Sequence, residues 1–103
     1  MENMNLSINQ ENGKTFVTLD GRIDTSNADQ FLEAVNPLMQ AEGLDIDIDC
    51  TNLTYTSSQG LRIFLIMQKN AMAHKGKLVM RNMTPQVKEV FDITGFSNII
   101  TIV

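Results

Sequence analysis

Hydrophobic and polar residues alternate in some stretches of this chain and recur at helical spacing in others, so the elements can be read in order. Leu6-Ser7-Ile8-Asn9 and Thr15-Phe16-Val17-Thr18-Leu19 are short alternating runs on either side of Glu11-Asn12-Gly13. An Asn-Gly pair between two such runs predicts a β-hairpin, because both residues accept the positive φ of a tight hairpin turn. Ser26 precedes Ala28, Phe31, Leu32, Val35, Leu38 and Met39, a helical spacing, and Asp29 three residues on completes a capping-box-like start. Pro37 falls inside that run, where it removes a hydrogen bond and crowds the preceding turn, so the helix is expected to kink or end early.

Leu44, Ile46, Ile48 and Cys50 then alternate with Asp45, Asp47 and Asp49, which predicts a strand with one apolar and one acidic face. Residues 61–73 are apolar on more than one face, the signature of a largely buried central helix. Lys77 to Arg81 reads as a strand. Thr84-Pro85 reads as an N-cap followed by proline at the first helical position, Gly95 as the stop of that helix, and Ile99 to Val103 as a closing strand. Strand-helix-strand units imply parallel pairing through right-handed crossovers. The expected fold is α/β, with a mixed β-sheet opened by an N-terminal hairpin and helices packed against it.

Length and composition fit one domain covering residues 1–103: 43% of the residues are hydrophobic, enough for a continuous core without staples. Neither glycine nor proline clusters into a linker. The longest apolar stretch, Leu61 to Met67, is interrupted by Arg62 and falls short of the about 20 residues that span a bilayer. Residues Met1 to Gln10 lack the basic start and apolar middle of a secretory signal, and the single cysteine, Cys50, has no internal partner. These features place the protein in the cytoplasm, away from membranes. With 12 acidic and 8 scattered basic residues the net charge is -4, which disfavours nucleic acid as a partner.

Little in the chain supports catalysis or a cofactor. The acidic run from Asp45 resembles the start of a calcium loop, but the sixth and twelfth positions are Cys50 and Thr56 where that loop needs glycine and glutamate. No metal site is expected. The only histidine, His74, is predicted at the C-terminal end of the central helix, where a cation suits the helix dipole, and no Ser-His-Asp arrangement is implied. There is no glycine-rich phosphate loop either. What remains is Thr54-Tyr55-Thr56-Ser57-Ser58-Gln59-Gly60-Leu61, a hydroxyl-rich turn leading into the central helix. Its hydroxyls can cap that helix: Thr56 with Gln59 forms a capping box, and Ser57 or Ser58 serves equally well. A hydroxyl exposed at a helix start is also accessible to a kinase, and phosphate there meets the favourable end of the dipole.

Three stretches carry a family likeness: Leu19-Asp20-Gly21-Arg22-Ile23-Asp24, Asp49 through Leu61, and Met83 through Phe96. In order and spacing the whole chain resembles the STAS domain of bacterial anti-sigma-factor antagonists. The resemblance implies a binding switch and not an enzyme. A serine before the central helix would be phosphorylated by a partner that is both anti-sigma factor and serine kinase, a PP2C-type phosphatase would remove the phosphate, and the unmodified form would bind the anti-sigma factor. Setting the family's Asp-Ser-Ser/Thr-Gly-Leu pattern on Gly60 makes Ser58 the acceptor. Ser57 then replaces the usual aspartate, and Gln59 a small hydroxyl residue. The implied contact surface is Asp24, Ser57, Ser58, Gln59, Gly60, Leu61 and Arg62, with capping of the first helix as the alternative role of Asp24. The two departures also leave room for an unphosphorylated structural adaptor, a STAS subunit of a lipid-transport or sensory complex. A small-molecule or nucleotide-binding module has no motif in its favour.

Overall fold

The computed structural model describes residues 4–40 and 42–103. Strands β1 (Met4–Glu11) and β2 (Lys14–Ile23) form the expected hairpin, with Asn12 (φ 50°) and Gly13 (φ 82°) in the turn. Helix α1 (Ala28–Val35) leads into a 3-10 segment, Asn36–Gln40, and then β3 (Asp45–Thr56). Next come α2 (Ser58–Ala73), β4 (Lys77–Arg81), α3 (Pro85–Thr94), a short 3-10 turn, Phe96–Asn98, and β5 (Thr101–Ile102). The spatial strand order is β1-β2-β3-β4-β5, with β1 antiparallel to β2 and every later pair parallel.

Sequential parallel strands joined by crossovers of one hand put all three helices on the same face of the sheet. The core bears this out, since ring centroids step from Phe31 on α1 to Phe64 on α2 at 5.3 Å and on to Phe91 on α3 at 5.9 Å. Those rings cover Val17, Leu19, Ile46, Ile48, Cys50, Leu78 and Met80, all buried. Asp45, Asp47 and Asp49 point to the open face, as the alternation predicts, where the Arg81 guanidinium donates to Asp47 Oδ1 at 2.8 and 3.0 Å.

Three expectations are corrected in detail. Ser26 does not cap α1: the cap position is Asn27, and neither side chain bonds the first helical amides. Instead the Ser26 amide and hydroxyl donate to Asp24 Oδ1 at 3.0 and 2.6 Å, while Asn27 accepts from the Asp24 amide and donates to the Arg22 carbonyl, both at 2.9 Å. The central helix begins at Ser58 and not Leu61, so the turn before it is far shorter than the hydroxyl-rich sequence suggests. The closing strand is shorter as well, because the amides of Ile99 and Ile100 both donate to the Phe96 carbonyl in the 3-10 turn. Pro37 acts as expected and ends α1 after Val35, and Thr84, Pro85 and Gly95 (φ 82°) bracket α3 as read.

Candidate functional site

The end of β2, the end of β3 and the start of α2 converge on one corner of the molecule. β3 does not stop at Cys50 but runs on to Thr56 beside β2, with the parallel register slipping between Thr18 and Asp20 and again between Gly21 and Arg22. Gly21, at φ 109°, occupies backbone space that side chains strongly disfavour, and it sits at this irregularity. The slippage sets Arg22 opposite Tyr55 and Ile23 opposite Thr56. The Thr54 hydroxyl donates to the Gly21 carbonyl at 3.0 Å and the Ser57 amide to the Ile23 carbonyl at 2.8 Å, so the turn into α2 is tied to β2 at both ends.

Within that turn the hydroxyls take different roles. Ser57, 8% exposed, is the N-cap: its Oγ accepts from the Gly60 amide at 3.2 Å. Thr56, 3% exposed, donates its hydroxyl to the Ser57 carbonyl and makes no capping box with Gln59. Ser58 is the first residue of α2; its side chain is exposed and forms no hydrogen bond among the described residues. Gly60 is buried against β2, and a Cβ there would strike the Thr56 hydroxyl and come within 2.9 Å of Ile23 Cγ2. Leu61 is buried in the core. Gln59 and Arg62 are exposed.

Of the seven residues read from the sequence as a contact surface, Ser57, Gly60 and Leu61 therefore face inward and build the turn. Ser58, Gln59 and Arg62 face out, and Asp24, half-buried, follows Ile23 at the edge of the same corner. The Asp24 carboxyl is held below its ordinary value, first by the Ser26 hydroxyl and further by the backbone amides of Ser26 and Asn27, so it is a fixed negative charge. Its carboxylate orders the Asp24-Thr25-Ser26 turn, while its carbonyl accepts from the Ala28 amide at 3.0 Å. The sequence reading missed Arg22 and Tyr55, whose guanidinium and ring stack at 4.4 Å, with Arg22 Nε also 4.0 Å from Asp24 Oδ2. The signal for that pairing is hidden, because slipped strands break the count from residue to residue.

The single histidine of the chain is remote from Ser58. His74 caps the far end of α2, about 24 Å away along sixteen residues of helix, and its Nδ1 is 2.7 Å from Glu42 Oε2. Among the described residues no cluster of His, Cys, Asp and Glu is arranged to hold a metal ion, and no helix is long and apolar enough to cross a membrane. At the start of α2 the corner presents the Ser58 hydroxyl, exposed and without a hydrogen bond among the described residues.

The STAS domain family profile matches residues 5–103. This chain belongs to the STAS family. A putative anti-sigma factor antagonist, BtrV, of Bordetella bronchiseptica is 31% identical over 93% of this chain and 83% of its own length. The anti-sigma-B factor antagonist of Bacillus subtilis is 31% identical over 97% of this chain and 91% of its own. Among solved structures, the anti-sigma factor antagonist SpoIIAA in its unphosphorylated form superposes with a TM-score of 0.80 at 17% identity, covering 96% of this chain and 88% of that one. An antagonist from Mycobacterium paratuberculosis gives a TM-score of 0.81 at 18% identity, over 96% and 84%. The mixed five-stranded sheet with its helices is thus the STAS fold, and the two relatives above are named as anti-sigma factor antagonists.

Proposed function

We propose that this STAS domain is an anti-sigma-factor antagonist whose binding is switched by phosphorylation of Ser58. The observation that carries the reading is the division of labour between two adjacent serines: Ser57 is buried and occupied as the helix cap, while Ser58 is exposed with its hydroxyl unbonded. A kinase reaches Ser58 without unfolding anything. Unmodified, the corner formed by Asp24, Ser58, Gln59 and Arg62 binds an anti-sigma factor that is also a serine kinase, and a PP2C-type phosphatase resets the switch. The domain acts in the cytoplasm as a binding module, without catalysis of its own.

Phosphate adds about -1.5 to -2 charges at the centre of this surface. A coupling of ~1 to 3 kcal/mol between phosphate and partner corresponds to a change in affinity of roughly 5 to 150-fold. Ser57 in place of aspartate keeps the capping chemistry, since both residue types cap helices well, but removes one negative charge beside the acceptor. The direct test is the phosphorylation state in the native host. Protein recovered from growing cells is expected to contain a phosphorylated fraction, with phosphate mapped to Ser58 and absent from Ser58→Ala. Recovery only of unmodified protein under every growth condition, or phosphate on another residue, overturns the assignment.

A further inference from the structure

Arg62 stands one helical turn beyond Ser58 on the same exposed side of α2. Residues four apart on a helix are neighbours, with Cβ atoms about 5–6 Å apart, a span a guanidinium easily covers. Arg62 is also the uncommitted cation of this corner. It forms no ion pair among the described residues, whereas Arg22 is stacked on Tyr55 and drawn toward Asp24. Its neighbours at helical spacing, Ser58, Gln59, Leu65 and Ile66, include no carboxylate to compete for it.

Building on the reading of Ser58 as phosphoacceptor, we infer that Arg62 is the counterion of the phosphate within the same helix. Its Nη–H groups donate to the phosphate oxygens, the strongest kind of charge-assisted pair available to a side chain here. The switch then has two parts. Phosphorylation adds negative charge, and it withdraws from the surface a guanidinium that the unmodified form offers to its partner. A hydroxyl gives Arg62 nothing to neutralise, so this pair exists only in the phosphorylated state.

The test places phosphoserine at position 58 during translation, by stop-codon suppression, in otherwise wild-type protein and in Arg62→Gln and Arg62→Lys. No kinase is involved. The second ionisation of the phosphate is followed by phosphorus NMR between about pH 4 and pH 8 at low salt, because a nearby cation favours the dianion. The helix N-terminus is unchanged in all three proteins, so only the side chain at position 62 differs. The midpoint in the wild-type background is expected a few tenths of a pH unit below that of Arg62→Gln, with Arg62→Lys between them, and the gap is expected to shrink at about 1 M salt. Equal midpoints in the wild-type and Arg62→Gln backgrounds overturn the inference. Because the phosphate is installed during translation and without the kinase, such a result is separate from failure of the phosphoacceptor reading, which shows as the absence of phosphoserine 58 in cells.

Discussion

Ser57 and Ser58 are adjacent and chemically identical, yet the fold gives them opposite fates. Ser57 Oγ accepts from an amide of the first turn that has no partner within the helix, and burial makes that bond matter. Ser57→Ala is therefore expected to lower stability by about 1 kcal/mol in urea denaturation. Ser58→Ala is expected to stay within about 0.5 kcal/mol of wild type, as exposed substitutions usually do. If Ser58→Ala is the damaging change, the assignment of the cap is wrong. Cys50 gives a second residue-level test. Burial, with Asp49 beside it, pushes its thiol up to about 12, so the thiolate is scarce in the folded state. A colorimetric disulfide reagent at pH 8 is expected to leave Cys50 untouched in native protein and to label it promptly in denaturant.

At the scale of elements, the site depends on where β2 and β3 lose their regular register. Period-two alternation made β3 legible through Cys50, but beyond it the buried positions are Leu53 and Thr56, three apart, and no simple period marks them as strand. That is why the sequence reads Thr54 to Thr56 as a turn when Tyr55 and Thr56 pair with β2 and Thr54 is the extra residue at the slip. The pairing of Arg22 with Tyr55 was illegible for the same reason. The opposite holds for α3, where Thr84, Pro85 and Gly95 are local signals that tertiary context does not override. Ser26 shows the limit of such signals, since its capping pattern is present but the Asp24 carboxylate takes the hydroxyl first. Gly21 is the residue the irregular register needs. Gly21→Val forces a β-branched side chain into φ 109° and is expected to cost about 1–3 kcal/mol. Hydrogen exchange is expected to show the Ser57 amide, bonded to Ile23, losing protection in that variant while β1 pairing persists; unchanged protection there would contradict the coupling.

At the scale of the whole molecule, three carboxylates among the described residues sit below their ordinary values, each stabilised first by a neighbouring hydroxyl: Asp24 by Ser26, Asp49 by Thr51 and Asp92 by Ser97. Each has a folded-state pKa below its unfolded one. Their contribution to stability is thus fully present above the ordinary carboxylate range and is lost as pH falls through the depressed values. The urea midpoint is expected to be nearly flat from about pH 7 to pH 5 and to fall below about pH 4, with a shallower acid limb in Asp49→Asn. An acid limb unchanged by that substitution would remove Asp49 from the account.

The fold class and the element order were readable from the sequence, because the hydrophobic pattern is local, and the Ser58-Gln59-Gly60-Leu61 stretch drew attention to this turn. Which serine is free was not, since that depends on which hydroxyl the Gly60 amide meets after β2 and β3 have docked. The central claim is that the free one, Ser58, controls binding. Wild-type, Ser58→Ala and Ser58→Asp proteins used as baits in an extract of the native host, with retained proteins identified by mass spectrometry, test it most directly. Wild type and Ser58→Ala are predicted to retain a protein with a histidine-kinase-like ATPase fold, and Ser58→Asp to lose it. Equal retention of one partner by all three would contradict the switch and favour a structural adaptor in which Ser58 is only the first residue of a helix.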